Sequence, residues 1–121
     1  MRPDDRDLAY LWDIRHAADS IRRFTEAVSL DEFRTNELVR SAVERQLILI
    51  GEAARRVSDA FREAHQGLPW REMIGQRNVL VHEYGEVSDE LIWRVITDDL
   101  PRLIQQIRSV LPPNGPSTEQ L

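Results

Sequence analysis

The chain has 121 residues, enough for one domain with one core and too few for two. It contains no cysteine, which excludes disulfides, thiolate metal sites and a cysteine nucleophile. Its net charge of −5 argues against a broad, sequence-independent nucleic-acid surface, though not against positive charge gathered in one cleft.

The first residues, Met1-Arg2-Pro3-Asp4-Asp5-Arg6-Asp7, are highly charged, and no later apolar run approaches membrane length. We therefore expect no signal peptide or anchor, and a cytoplasmic protein. From Asp4 to about Ser29, Leu8, Leu11, Trp12, Ile14, Ala18, Ile21, Phe24 and Val28 recur at three- and four-residue steps, the pattern of a long amphipathic helix. Its other face carries both signs of charge, as in Asp19, Arg22 and Arg23, and suits solvent. His16 reads as a surface or boundary histidine.

Ser29-Leu30-Asp31-Glu32-Phe33 reads as a turn with capping residues. Asn36 suits the cap of a second long helix, because its side chain can accept an orphan N–H of the first turn. That helix is expected to bury Val39, Ala42, Val43, Gln46, Leu47, Ile50, Ala53, Ala54 and Val57. The run Leu47-Ile48-Leu49-Ile50 is apolar all round, which predicts neighbours on more than one side. Gly51 inside this helix costs roughly 1 kcal/mol against alanine, which suggests close approach of another backbone. Ser58 suits the cap of a further turn through Phe61, and Ala64-His65-Gln66-Gly67 reads as a loop.

The next stretch, Leu68 to Val87, carries the chemistry. Pro69 suits the first turn of a helix and Gly85 the position just past its end. Wound at roughly 100° per residue, Trp70, Met73, Ile74, Leu80, Val81 and Tyr84 share one side, with Arg77 in the middle of the stripe. A guanidinium there needs a partner, a ligand or a second chain. Gly75, Asn78 and His82 line a flank of the same helix, and the missing side chain of Gly75 leaves room there. Arg77 and His82 thus form a plausible phosphate site. Glu52 is either a solvent-facing carboxylate or the partner that Arg77 requires.

After this helix, Ser88 lacks the acid three residues later that completes a capping box, although Asp89 and Glu90 suit a first turn. The last helix runs to about Leu111, with Leu91, Val95, Ile96, Leu100, Leu103, Ile104, Ile107 and Val110 facing inward. Pro101 either kinks it, or Asp98 or Asp99 starts a new helix there. Pro112-Pro113-Asn114-Gly115-Pro116 ends helical structure. With no strand signal, the expectation is an all-α, up-and-down bundle of four to five helices, a single domain over residues 1–111 with a flexible tail at 112–121.

Arg77-Asn78-Val79-Leu80-Val81-His82-Glu83-Tyr84 fits R-x-x-x-x-H-x-Y with a polar residue after the arginine. It resembles the signature of HEPN ribonucleases, specifically the HepT toxins of HepT–MNT toxin–antitoxin pairs. The context is similar in order: Gly51-Glu52-Ala53-Ala54, Leu68-Pro69-Trp70, the motif, then Ile92-Trp93 and Asp99-Leu100-Pro101. The resemblance spans about residues 7–111 and favours pairing of Glu52 with Arg77. It implies a HEPN-like bundle, a homodimer with a shared cleft, an RNA substrate, and an MNT-type nucleotidyltransferase antitoxin as partner. In that family the tyrosine matching Tyr84 is the position that the partner can modify with AMP.

The residues themselves suit this chemistry. RNA cleavage without a metal needs a base for the 2′-hydroxyl, an acid for the leaving oxygen and positive charge at the transition state. Histidine suits the proton transfers and a fixed arginine the charge. All sixteen basic residues are arginine, from genome composition or from a preference for bidentate phosphate contacts, so no lysine is available as a base. On one helix, Arg77 and His82 lie roughly 140° apart around the axis, awkward for a single cleft. A twofold dimer removes that difficulty. The expected roles are His82 as general acid/base, Arg77 as phosphate clamp and Asn78 as an orienting hydrogen-bonder, with no cofactor and no metal. A non-catalytic helical module that docks a nucleotidyltransferase or binds a nucleotide is the alternative. A metal-dependent hydrolase using Glu52, Asp98 or Asp99 with His82 is less favoured, since no ligand pair has the required spacing on one face.

Overall fold

The computed structural model describes residues 5–75 and 88–112, which are helical apart from short connections, with no strand among them. Helix α1 (Asp5–Thr25) follows its apolar spacing: Leu11, Ile14, Ala18 and Ile21 are all buried. Acids in its first turn and Arg22 and Arg23 in its last complement the helix dipole. It stops at Thr25, short of Ser29, and leaves Phe24 exposed rather than packed.

The segment expected to be a turn is itself a short helix, α2 (Leu30–Thr35). A complete capping box explains it: Ser29 Oγ accepts from the Glu32 N–H at 3.2 Å, and Glu32 Oε1 accepts from the Ser29 N–H at 3.3 Å. Phe33 supplies the burial that a six-residue helix needs, with no exposure and its ring 5.3 Å from that of Trp93.

Helix α3 (Glu37–Arg56) begins where expected, with Asn36 Oδ1 accepting from the Val39 N–H at 3.1 Å. Val43, Leu47, Ile50 and Ala54 are buried, while Ile48 and Leu49 are half-buried, so the all-apolar run meets neighbours on two sides. Gln46, expected inside, is only half-buried. Helices α1 and α3 lie side by side and antiparallel: Asp7, near the start of α1, reaches Ser58, just past the end of α3. Ser58 also caps α4 (Asp59–Ala64) by accepting from the Phe61 N–H at 3.1 Å.

Helix α5 is described over residues 70–75, with Pro69 immediately before it and the Met73 N–H donating to the Pro69 carbonyl at 3.0 Å. Helix α6 (Asp89–Arg94) then leads through a π turn, Val95–Asp99, into α7 (Leu100–Val110). The Leu100 N–H bonds to the Val95 carbonyl, the five-residue step of a π turn. The irregularity expected at Pro101 takes this form. A proline ring presses on the carbonyl four residues back, and widening the preceding turn moves that carbonyl aside. Asp98 and Asp99 lie inside the π turn, and Asp99 makes no side-chain cap for α7. Leu91, expected inside, is 54% exposed; Ile92 takes the inward position. Helix α7 packs along α1 and completes a bundle whose core includes Ile104 and Ile107.

Candidate active site

Arg77, Asn78, His82 and Tyr84 lie outside the described residues, so the structure gives the frame on either side of the motif. On the entering side, the Trp70 indole N–H donates to the His65 carbonyl at 2.9 Å. Phe61 stands between them, stacked on the His65 ring at 4.2 Å and edge-on to Trp70 at 6.3 Å. His65, read as a loop histidine, thus closes an aromatic cluster where α4 passes into α5. Met73 is buried, which anchors α5 to the core. A methyl group added at Gly75 meets no atom within 4 Å among the described residues; Asn78 and His82, beside which room was expected, lie outside them.

On the leaving side, polar side chains converge on the first turn of α6. Arg34, from α2, pairs with Glu90 and reaches Asp31 at 3.3 Å. Arg40, from α3, lies 3.9 Å from Asp89 and also donates to the Arg34 carbonyl. Ser88 does not cap α6; its hydroxyl donates to Glu90 Oε2 at 2.8 Å instead. Hydrogen bonds from Ser88 and its own backbone, together with the Arg34 guanidinium, hold the Glu90 carboxyl down at about 2. The same pairing raises the Arg34 guanidinium. Glu44, one turn along α3 from Arg40, moves the other way: burial raises its carboxyl, Arg40 opposes this and Asp89 adds to it. Sequence reasoning placed Asp89 and Glu90 in a first turn but missed their arginine partners, and no local pattern marks the pairing, since Arg34 and Glu90 are 56 positions apart.

Glu52 is half-buried on α3 and lines a groove of about 350 Å³ between α1 and α3. Tyr10, Asp13, His16 and Ser20 form one wall, with Gln46, Glu52 and Arg56 on the other. Ala17 and Ala53 leave the space between them. His16 is exposed, as expected of a boundary residue, and sits in this groove. The pairing of Glu52 with Arg77 falls outside the described residues. A second cleft of about 410 Å³ has an apolar floor that includes Leu47, Ile50, Met73 and Leu100, with Glu72, Asp99, Arg102 and Gln106 at its rim. Among the described residues, no three histidine or carboxylate side chains converge as metal ligands. Nor is any described helix long and apolar enough to cross a membrane.

An all-α bundle that carries R-x-x-x-x-H-x-Y between α5 and α6 has the organisation of a HEPN-type ribonuclease. Residues 14–110 match the family described as Ribonuclease HepT-like, and the chain belongs to that family. It is 37% identical over 102 residues to a Methanocaldococcus jannaschii protein named "Putative RNase", covering 84% of this chain and 94% of the relative. It is 35% identical over 94 residues to a Thermococcus cleftensis protein named "Probable ribonuclease HepT", covering 78% and 86%. A Caldanaerobacter subterraneus protein, also named "Putative RNase", is 32% identical over 102 residues, covering 84% and 91%. No solved structure matches the chain significantly.

Proposed function

We propose that the chain is the toxin of a toxin–antitoxin pair, a metal-independent endoribonuclease that cuts RNA in a cleft shared across a homodimer. The observation that carries this reading is the family match over residues 14–110, with Arg77, His82 and Tyr84 inside it in R-x-x-x-x-H-x-Y spacing. One His82 takes the proton of a ribose 2′-hydroxyl, whose oxygen attacks the adjacent phosphorus. The bond from phosphorus to the 5′-oxygen breaks, and the His82 of the second copy gives that oxygen a proton. The products are a 2′,3′-cyclic phosphate and a 5′-hydroxyl. Arg77 holds the phosphate oxygens as charge builds on them, and Asn78 orients the group with a hydrogen bond.

Under the same reading, an MNT-type nucleotidyltransferase restrains the toxin by transferring AMP to Tyr84. Phosphate added beside the cleft competes for the charge that RNA needs. The test is RNA cleavage in EDTA by the wild type and by His82→Ala, with the mass of both by light scattering. Cleavage by the wild type alone, with both proteins dimeric, supports the reading. If neither folded dimer cuts tRNA, mRNA or rRNA, the enzyme reading falls, and the docking module takes its place.

A further inference from the structure

Helix α6 begins five positions after Tyr84, so the way α6 is held decides where the chain leaving the motif is delivered. The far end of α6 runs on through the π turn into α7 and is anchored there, whereas its first turn has no side-chain cap. Its first two residues are instead gripped by two arginines from two different elements: Glu90 by Arg34 of α2, and Asp89 by Arg40 of α3. The two arginines are joined as well, since Arg40 donates to the carbonyl of Arg34.

Exposed ion pairs of this kind add little to stability, so stability is a weak reason for four charged side chains to meet at one point. They do fix geometry. Arg34 bonds Asp31 through one nitrogen and Glu90 through the other, which ties α6 to the helix that carries Arg34. Ser88, the residue just before α6, bonds the second oxygen of Glu90.

We propose that Arg34 and Glu90, backed by Arg40 and Asp89, are positioning residues that set the register at which the chain leaves the motif; this rests on the ribonuclease reading above. None of them handles protons or substrate. Their effect reaches the reaction through the placement of His82, and a displacement of about 1 Å at a reacting group can slow a reaction by about a hundredfold.

The test is a double-mutant cycle on the dimeric full-length protein: wild type, Arg34→Gln, Glu90→Gln and the double variant. Three quantities are read: thermal midpoint, kcat and KM for RNA cleavage, and backbone amide exchange over residues 77–84. Each single variant is expected to lower kcat by about fivefold or more, with KM and the midpoint nearly unchanged, because a misplaced general acid/base loses rate rather than binding. The double variant is expected to be no worse than either single one, the mark of two groups acting as a unit. Amide exchange over 77–84 is expected to quicken in all three. If the losses in kcat multiply in the double variant, or kcat stays within about twofold of the wild type, the proposal is overturned. If the wild type itself cuts no RNA, the functional reading fails on its own account, and exchange decides the positioning. Quickened exchange then upholds it, and unchanged exchange overturns it.

Discussion

Asp7 and Ser58 are joined by two hydrogen bonds to a single carboxylate. Asp7 Oδ1 accepts the Ser58 N–H at 2.8 Å, and Asp7 Oδ2 accepts the Ser58 hydroxyl at 2.7 Å. The same hydroxyl oxygen accepts the Phe61 N–H at 3.1 Å, so one serine locks α1 to the end of α3 while starting α4. Asp7 is only 5% exposed, which makes these bonds to a charged acceptor worth more than surface contacts. Asp7→Ala is expected to lower stability by about 2–3 kcal/mol, because it leaves the Ser58 N–H without its acceptor. Asp7→Asn keeps one acceptor oxygen and should lose less. Urea denaturation of both variants checks the order.

Glu44 and Glu90 give opposite pH signatures. The folded state lowers the Glu90 carboxyl to about 2 from its ordinary 4.5, so its contribution is present above about 4.5 and lost as the pH falls toward 2. Full exposure keeps that contribution small. The Glu44 carboxyl is raised by burial, so its contribution is present below 4.5 and lost as the pH climbs through its folded value. At neutral pH the half-buried Glu44 therefore works against the fold. Glu44→Gln is expected to raise the thermal midpoint at pH 7 and to leave it unchanged near pH 3. Glu90→Gln should lower the midpoint slightly at pH 7, and the difference should vanish near pH 2. Midpoints measured from pH 2 to 8 on the three proteins read both effects.

What was legible in the sequence was local. Asn36 and Ser58 act across three residues, and both cap helices as their positions predict. The three- and four-residue apolar steps of α1 and α3 recover their buried faces. Where packing across the bundle decides, the sequence falls short. Leu91 and Ile92 suit the inward position equally as residue types, and only the docking of α6 selects Ile92. The segment 29–35 carries turn residues and a local capping box, and burial of Phe33 against Trp93 is what lets so short a helix hold. The motif at 77–84 could be read because its residues are consecutive. The grip on α6 could not, because Arg34 and Arg40 come from elements distant in sequence from Asp89 and Glu90.

Trp70 tests the entering side of the motif. Its indole hydrogen bond to the His65 carbonyl ties the first residue of α5 back to the loop after α4. Trp70→Phe keeps the edge-on contact with Phe61 and removes only that bond. The expected loss is about 1 kcal/mol, with some further loss from the smaller ring. A midpoint shift without a change in helical content, seen by circular dichroism, is the outcome this contact predicts. Trp70→Ala removes the ring contact as well and should lose more.

Glu52 sits at the edge of the α3 core rather than in it. Leu47, Ile50, Ala53 and Ala54 carry the burial around it, while Glu52 is half-buried beside the α1–α3 groove. A side chain placed there can be changed without opening a cavity, so Glu52→Gln should leave the thermal midpoint within about 2 °C of the wild type. Under the ribonuclease reading its carboxylate serves Arg77, and the amide removes the charge while keeping the shape. A guanidinium held by a neutral partner is less firmly placed, and cleavage should fall by about tenfold while RNA binding changes little. Steady-state cleavage of one RNA by wild type, Glu52→Gln and His82→Ala orders the three. The expected ranking puts Glu52→Gln between the others, and wild-type activity in Glu52→Gln would remove Glu52 from the site.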